Sequence, residues 1–221
     1  MSNFPKAFLF DLNGTMVDDM EYHVKAWYGI LNDDLKANMS WEAVRSQMYG
    51  KNTELFVRVF GEGHFSNEEM EYWSIEKENR YQKNFLPHLK LIDGLDVFLE
   101  KAKAKKIRMA IGSAAIPFNI DFVLDNLRLG HYFDAIVSAA DVAISKPDAE
   151  TYLKAAELIN EDPENCIVFE DAPKGVEAAM NAGMRAVVLT TMHNRNEFRN
   201  YNNVIAFVKD YADEQLNELF Y

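Results

Sequence analysis

The chain has 221 residues, and its 48% hydrophobic and 13% aromatic content can supply a well-packed core for one large domain or two small ones. Its 23 Lys and Arg residues against 35 Asp and Glu residues give a formal net charge of -12, which repels nucleic acid and argues against nucleic-acid binding. No uninterrupted apolar stretch approaches the ~20 residues of a membrane helix, and the N-terminus lacks a secretion-signal pattern. We therefore expect a cytoplasmic protein with no membrane partner.

Short apolar runs alternate with amphipathic segments along most of the chain. The runs predict five β-strands, at Ala7–Phe10, Ile107–Ile111, Ala135–Val137, Cys166–Phe169 and Ala186–Leu189. Helical patterns lie between most of them, such as Ala149–Ile159 and Gly175–Ala182. This alternation predicts an α/β fold with a mainly parallel sheet, whose right-handed crossovers bring the strand carboxyl ends to one edge.

The interval from Asp18 to Leu86 has a different pattern. It is rich in Met, Tyr, Trp and acidic residues at helical spacing, and it contains no convincing strand. We predict that residues 18–86 form an inserted all-helical subdomain, while residues 1–17 and 87–221 form the sheet-containing core. Because both ends of the insertion flank the expected site, we expect a mobile cap that closes over it and excludes water. The aromatic residues expected in the cap core are Trp27, Tyr28, Trp41, Tyr72 and Trp73.

The single cysteine, Cys166, lies inside one of the predicted strands. It cannot form an intramolecular disulfide, and its apolar neighbours indicate a buried core thiol rather than a nucleophile. A reducing compartment is consistent with this composition.

Polar residues follow four of the predicted strands. Asp11 follows the first strand, Ser113 the second, Lys146 the loop after the third, and Glu170 with Asp171 the fourth. Because the carboxyl ends of parallel strands meet at one edge, we expect these side chains to converge. Three clustered carboxylates repel one another unless a cation neutralises them, and an all-oxygen ligand set suits Mg²⁺.

The hydroxyl and neighbouring amides of Ser113, together with the Lys146 ammonium, predict a phosphate-sized anion site beside the metal. Asp11 is then placed to attack phosphorus in line, which yields an aspartyl-phosphate that water opens. The residues therefore predict phosphoryl transfer at this edge of the sheet.

Four ordered motifs resemble those of the haloacid-dehalogenase-like superfamily. The motifs are Asp11–Thr15 (Asp-Leu-Asn-Gly-Thr), Gly112–Ala115 (Gly-Ser-Ala-Ala), Ser145–Asp148 (Ser-Lys-Pro-Asp), and Phe169–Gly175 continued by Ala178–Gly183. The insertion after the first motif is where the family's helical cap belongs. Within it, Glu21–Trp27 and Gly50–Asn52 are similar to the β-phosphoglucomutase-like branch.

The resemblance implies a Rossmann-like core and a small phosphorylated, sugar-phosphate-like substrate. It implies Mg²⁺ bound by Asp11, the backbone carbonyl of Asn13, Glu170 and Asp171, with catalysis by Asp11, Asn13 and Lys146. The expected phosphate-binding residues are Leu12, Ser113, Ala114 and Lys146, and the expected substrate or cap contacts are His23, Gly50, Lys51 and Asn119. We expect a monomer or weak dimer.

Asn13 departs from the family pattern. The resembling enzymes have an aspartate two residues after the nucleophile, which protonates the leaving group and later activates water, and asparagine can do neither. General acid–base help accelerates a reaction by about 10²–10⁴-fold, so we expect slow turnover of substrates with alkoxide-like leaving groups. Three alternatives stay open: a substrate with a good leaving group, a long-lived phosphoenzyme, and deamidation of the Asn13–Gly14 pair to aspartate.

A second departure is Thr53, which stands where the β-phosphoglucomutase pattern has an arginine that grips a second phosphate. A hydroxyl cannot replace that bidentate cation, which weighs against mutase activity. We predict a Mg²⁺-dependent phosphohydrolase. A β-phosphoglucomutase-type phosphotransferase and a non-catalytic module that holds Mg²⁺ and a phosphorylated ligand remain the alternatives. Metal-free dehalogenation is disfavoured because nothing would neutralise the carboxylates.

Overall fold

The computed structural model describes residues 5–221. The described chain divides into two compact units: residues 5–18 with Lys90–Tyr221, called here the sheet unit, and Asp19–Leu89, called here the helical unit. Across the described residues, every helix is too short or too polar to serve as a transmembrane span.

The sheet unit contains one sheet of six described strands, in the order β3-β2-β1-β4-β5-β6 with all neighbours parallel. The strands are β1 Ala7–Phe10, β2 Arg108–Gly112, β3 Ala135–Val137, β4 Cys166–Glu170, β5 Arg185–Leu189 and β6 Val204–Val208. In chain order, the α-helices are α1 Met20–Tyr28, α2 Trp41–Arg45, α3 Asn52–Phe60, α4 Asn67–Phe85, α5 Leu95–Ala104, α6 Pro117–Leu127, α7 Glu150–Leu158 and α8 Pro173–Asn181.

The predicted mainly parallel α/β sheet is confirmed, and each of the five predicted strands lies within one residue of its expected bounds. The sixth strand, β6, was not predicted, although its sequence Val-Ile-Ala-Phe-Val carries the β-branched signal of a strand. It pairs with β5 alone at the edge of the sheet, and most of its residues are only half-buried. The helical pattern predicted at Ala149–Ile159 is α7, which begins at Glu150 after a turn that includes the cis peptide bond between Lys146 and Pro147.

The two faces of the sheet bury different side chains, because successive residues of a strand point to opposite sides. On one face, Phe8 and Phe10 of β1 pack with Phe169 of β4 and Phe98 of α5. The rings of Phe10 and Phe169 stack with centroids 4.9 Å apart. On the other face, small and branched residues of β1 and β4 pack against α7 and α8. With both faces covered, the central strands are wholly buried, as parallel sheets require.

The regular elements of the helical unit, all of whose residues are described, are helices. Its core contains Trp27 and Phe56, whose rings meet edge to face. Tyr28, Trp41 and Trp73 pack against this core as predicted. The prediction for Tyr72 was wrong, since its side chain is 62% exposed. Neighbouring helical residues are about 100° apart, so α4 turns Tyr72 to solvent when it turns Trp73 inward.

Candidate active site

Asp11 directly follows β1 and is held there by the sheet. Its N–H donates to the Phe169 carbonyl at 3.0 Å, which continues the pairing of β1 with β4. A tight turn comes next, in which the Leu12 carbonyl accepts from the Met16 N–H at 2.8 Å. Gly14 adopts a φ of +77° in this turn, and its N–H donates to the Val17 carbonyl at 2.8 Å. A positive φ favours glycine, so the turn after Asp11 depends on the residue type at position 14.

Asp11, Glu170 and Asp171 form one buried carboxylate cluster. Each offers an oxygen, and these oxygens all lie within 4.8 Å of one another. Strands β1 and β4 are neighbours in register, so residues that follow them meet at the same edge of the sheet. The cluster is therefore a direct product of the topology.

Lys146 supplies the positive charge in this cluster. Its ammonium donates to Asp11 Oδ1 at 2.7 Å, to Glu170 Oε1 at 2.6 Å and to the Tyr152 hydroxyl at 2.8 Å. Burial alone lowers the pKa of Lys146, but attraction to Asp11 and Glu170 outweighs it and raises that pKa to about 12. Lys146 is therefore a permanent cation that touches the candidate nucleophile.

Glu170 is fixed from several sides. Its Oε2 accepts the backbone N–H groups of Asp171 and Ala172, both at 3.0 Å, which places the carboxylate at the N-terminal end of α8. The Tyr152 hydroxyl donates to its Oε1 at 2.8 Å. A Cβ added to Gly175 would lie 1.7 Å from that same oxygen, so only glycine leaves room for the carboxylate.

Asp171 has a similar relationship with the turn after β1. A Cβ added to Gly14 would lie 2.3 Å from Asp171 Oδ2, and the Thr15 hydroxyl donates to Asp171 Oδ1 at 3.4 Å. Two glycines, one in each acidic motif, therefore provide the space in which these carboxylates sit.

The donor set fits a hard divalent cation. Three carboxylates and one ammonium leave two net negative charges in a buried site, the charge that one divalent ion neutralises. The three side chains offer oxygen only, which suits Mg²⁺ rather than a softer metal. Asp11, Glu170 and Asp171 would hold such an ion.

Ser113 lies at the same edge of the sheet, because it directly follows β2 and β2 pairs with β1. Its N–H donates to the Val137 carbonyl at 2.9 Å, and its hydroxyl accepts from the Ala115 N–H at 3.1 Å. Ala114 is half-buried in the same loop. Asn119 lies in the first turn of α6 and is fully buried, and neither polar atom of its amide has a hydrogen-bond partner among residues 5–221.

Three predicted substrate residues belong to the helical unit, and the structure places them within it. His23 is buried in α1, with Nδ1 2.7 Å from Lys77 Nζ and Nε2 3.3 Å from Asp19 Oδ2. Gly50 has a φ of +73° in the loop before α3. Lys51 is the residue before α3, and its N–H donates to the Glu54 carboxylate at 3.1 Å.

The sequence interpretation missed Tyr152 as a site residue. Its phenol contacts both Lys146 and Glu170, and its ring centroid lies 4.7 Å from Lys146 Nζ. The signal was present, because a tyrosine on the apolar face of a helix just after the lysine motif brings a polar group into the core.

Comparisons with known proteins agree with the motifs and the fold. The family model described as haloacid dehalogenase-like hydrolase matches residues 8–189, which includes all four motifs. The chain belongs to this family. The resemblance seen in the sequence is thereby confirmed, and the site described above is the candidate active site of a hydrolase.

Named relatives within the family include two bacterial enzymes. The hydrolase is 30% identical over 184 residues to fructose-1-phosphate phosphatase YqaB of Escherichia coli, covering 81% of this chain and 93% of the relative. It is 31% identical over 197 residues to β-phosphoglucomutase of Bacillus subtilis, covering 82% of each. The crystal structure of β-phosphoglucomutase from Clostridium difficile superposes with a TM-score of 0.82 at 27% identity, covering 98% of this chain and 97% of that one.

Proposed function

We propose that this protein is a Mg²⁺-dependent phosphohydrolase of a small, sugar-phosphate-like metabolite, acting through an aspartyl-phosphate on Asp11. The observation that carries the proposal is the buried cluster of Asp11, Glu170 and Asp171 with Lys146 bonded to the first two. The similarity to a fructose-1-phosphate phosphatase and to a β-phosphoglucomutase supports a phosphorylated carbohydrate as the substrate. We place the enzyme in the cytoplasm as a monomer or weak dimer.

In the proposed reaction, a carboxylate oxygen of Asp11 attacks phosphorus, and the bond between phosphorus and the leaving oxygen breaks, so that the leaving oxygen takes its proton from water. A water oxygen then attacks phosphorus and the bond between phosphorus and the Asp11 oxygen breaks, which releases inorganic phosphate and restores the Asp11 carboxylate. A bound Mg²⁺ would supply charge neutralisation for the carboxylates and the phosphoryl group. Lys146 keeps Asp11 oriented through the 2.7 Å hydrogen bond and offers positive charge to the phosphoryl oxygens.

Phosphate recognition is assigned to Ser113 with the backbone at Leu12 and Ala114. We assign Asn13 a metal contact through its backbone carbonyl, and Asn119 a contact with the substrate. We also propose that the helical unit is a cap that supplies substrate contacts through His23, Gly50 and Lys51. The support for this assignment is their residue types and their similarity to the β-phosphoglucomutase-like branch.

Asn13 makes the reaction slow in this proposal, because the leaving oxygen receives no proton from position 13. Deamidation would remove this handicap, but it requires the Gly14 nitrogen to attack the Asn13 side chain. That nitrogen donates its proton to the Val17 carbonyl in the turn after β1. The local hydrogen bonding thus opposes the change, and we propose that Asn13 persists as asparagine.

Two alternatives have support of their own. The similarity to β-phosphoglucomutase favours a phosphotransferase. Thr53 weighs against it, because its side chain offers no cation to bind a second phosphate. The amide at position 13 favours a module that binds Mg²⁺ and a phosphorylated ligand without turnover. Conversion of β-glucose 1-phosphate to the 6-phosphate with a bisphosphate activator tests the first, and we expect none.

The decisive experiment is a phosphate-release assay over a panel of sugar phosphates, with Mg²⁺ or with a chelator. We compare wild type, Asn13→Asp and the near-isosteric Asp11→Asn. We expect Mg²⁺-dependent release that Asp11→Asn abolishes, and a rise in kcat of about 10²–10⁴-fold in Asn13→Asp.

Activity that survives Asp11→Asn would refute the nucleophile. An Asn13→Asp variant no faster than wild type would refute the account of position 13. The binding alternative is measured by calorimetry with MgCl₂ and inorganic phosphate: binding without release by either wild type or Asn13→Asp would establish it in place of the hydrolase.

A further inference from the structure

Tyr152 is a buried tyrosine whose hydroxyl joins the charged cluster from the core side. It lies on α7 with its side chain fully buried, within the hydrophobic cluster between the sheet and helices α7 and α8. Its ring therefore has a packing role that phenylalanine would also serve. Its hydroxyl has two partners, Lys146 and Glu170, both charged.

The directions of these hydrogen bonds follow from chemistry. An ammonium has three protons and accepts nothing, so Lys146 donates to the Tyr152 oxygen at 2.8 Å. The Tyr152 hydroxyl then donates its hydrogen bond to Glu170 Oε1, and the two oxygens are also 2.8 Å apart. With one proton directed to each of Asp11, Glu170 and Tyr152, all three protons of Lys146 are committed. Tyr152 thus fixes the rotation of the ammonium as well as the position of Glu170.

We propose that Tyr152 is a positioning residue for the reaction of the proposed function, acting through Lys146 and Glu170 without touching the substrate. With only two partners, the Lys146 ammonium can turn away from Asp11, and Glu170 Oε1 loses a donor. The geometry that Lys146 presents to Asp11 and to the phosphoryl group then becomes less defined. This inference rests on the proposed function, and it adds a residue that holds Lys146 and Glu170 in position.

Tyr201 provides a matched control. Its side chain packs against the same hydrophobic cluster, and its hydroxyl also donates to a glutamate, Glu177, at 3.4 Å. Tyr201→Phe therefore removes a tyrosine hydroxyl from the same core without changing a contact of Lys146. Tyr152→Phe and Tyr201→Phe are compared after melting temperatures have shown that both fold.

The first measurement is phosphate release with Mg²⁺. For Tyr152→Phe we expect kcat to fall about 10- to 100-fold, the effect of losing a hydrogen bond to a charged group, and KM to change much less. Tyr201→Phe should match wild type within about twofold, since the Tyr201 hydroxyl contacts Glu177 and neither Lys146 nor Glu170. Equal kcat in Tyr152→Phe and wild type, or an equal fall in both variants, would overturn the proposal.

The second measurement does not need turnover. In ¹⁵N-labelled protein, the ammonium signal of Lys146, assigned by its absence in Lys146→Met, should be visible because its protons are buried and hydrogen-bonded. It should show a nuclear Overhauser effect to the Tyr152 ring, broaden in Tyr152→Phe and persist in Tyr201→Phe. A signal unchanged in Tyr152→Phe, or one that never contacts the Tyr152 ring, overturns the proposal. If the wild type shows these signals yet releases no phosphate, the proposed function is refuted and the contacts of Tyr152 with Lys146 are not.

Discussion

Gly175→Ala tests whether the space under Glu170 is required. The added Cβ would lie 1.7 Å from Glu170 Oε1 and 1.9 Å from its Cδ, far inside van der Waals contact. The backbone at position 175 does not have a positive φ, so alanine is compatible with the helix itself. The substitution therefore acts on Glu170 and not on the conformation of α8.

Two opposing contributions set the magnitude. Alanine favours a helix over glycine by about 1 kcal/mol. Displacing Glu170 breaks its contacts with Lys146, Tyr152 and the two backbone N–H groups at the start of α8. Breaking a buried ion pair costs about 3–5 kcal/mol, so we expect a net loss of about 2–4 kcal/mol in the free energy of unfolding.

The assays are urea denaturation and Mg²⁺ titration calorimetry of Gly175→Ala. We expect the lower unfolding free energy given above and Mg²⁺ binding weakened by at least about tenfold, since a displaced ligand oxygen no longer meets the other carboxylates. Gly130→Ala is the matched control, because nothing lies within 4 Å of a Cβ there and its φ is not positive. A Gly175→Ala variant with wild-type stability and wild-type Mg²⁺ affinity would refute the reasoning.

Two further predictions concern other buried groups. In the helical unit, desolvation raises the pKa of Glu78, but Lys77, His23 and hydrogen bonds outweigh it, so that pKa is lowered in the folded state. Ionised Glu78 thus stabilises the fold above its unfolded pKa of 4.5, and this contribution is lost as the pH falls through the folded value. Urea midpoints at pH 6 and pH 3.5 should therefore differ less in Glu78→Gln than in wild type or in the exposed control Glu62→Gln; an equal difference in all three would contradict this. In the sheet unit, burial and nearby acidic groups raise the pKa of Cys166 to about 12, so a thiol reagent at pH 8 should label native protein far more slowly than urea-unfolded protein. Equal labelling rates would show that the thiol is accessible and ionisable.

The sheet was predictable because its signals are local. Apolar runs of strand length separated by amphipathic segments define β1 to β5 from sequence alone, and parallel topology then requires their carboxyl ends to share an edge. The same rule predicts that Asp11, Glu170 and Asp171 lie together, as they do in the structure. Edge strand β6 was missed although its apolar, β-branched run at Val204–Val208 is visible in the sequence.

The packing behind the site was decided by the tertiary structure. The sequence shows Gly175 only as part of a family motif. The structure explains why glycine is needed there, because a Cβ at this position would lie 1.7 Å from Glu170 Oε1. Tyr152 had the sequence position of an ordinary core aromatic, and its contacts with Lys146 and Glu170 depend on how α7 packs on β1, β2 and β3.

Sequence thus determined the fold class, the family and the carboxylate edge, because hydrophobic periodicity and short motifs act over a few neighbouring residues. The structure decided which distant side chains form hydrogen bonds with one another, since that depends on distances of about 3 Å between elements separated along the chain. The proposed role of Asn13 belongs to the first group, because it follows from the residue type alone: an asparagine amide is neither a general acid nor a general base. Tyr152 and Gly175 belong to the second, because their effects exist only where α7, α8 and β4 meet.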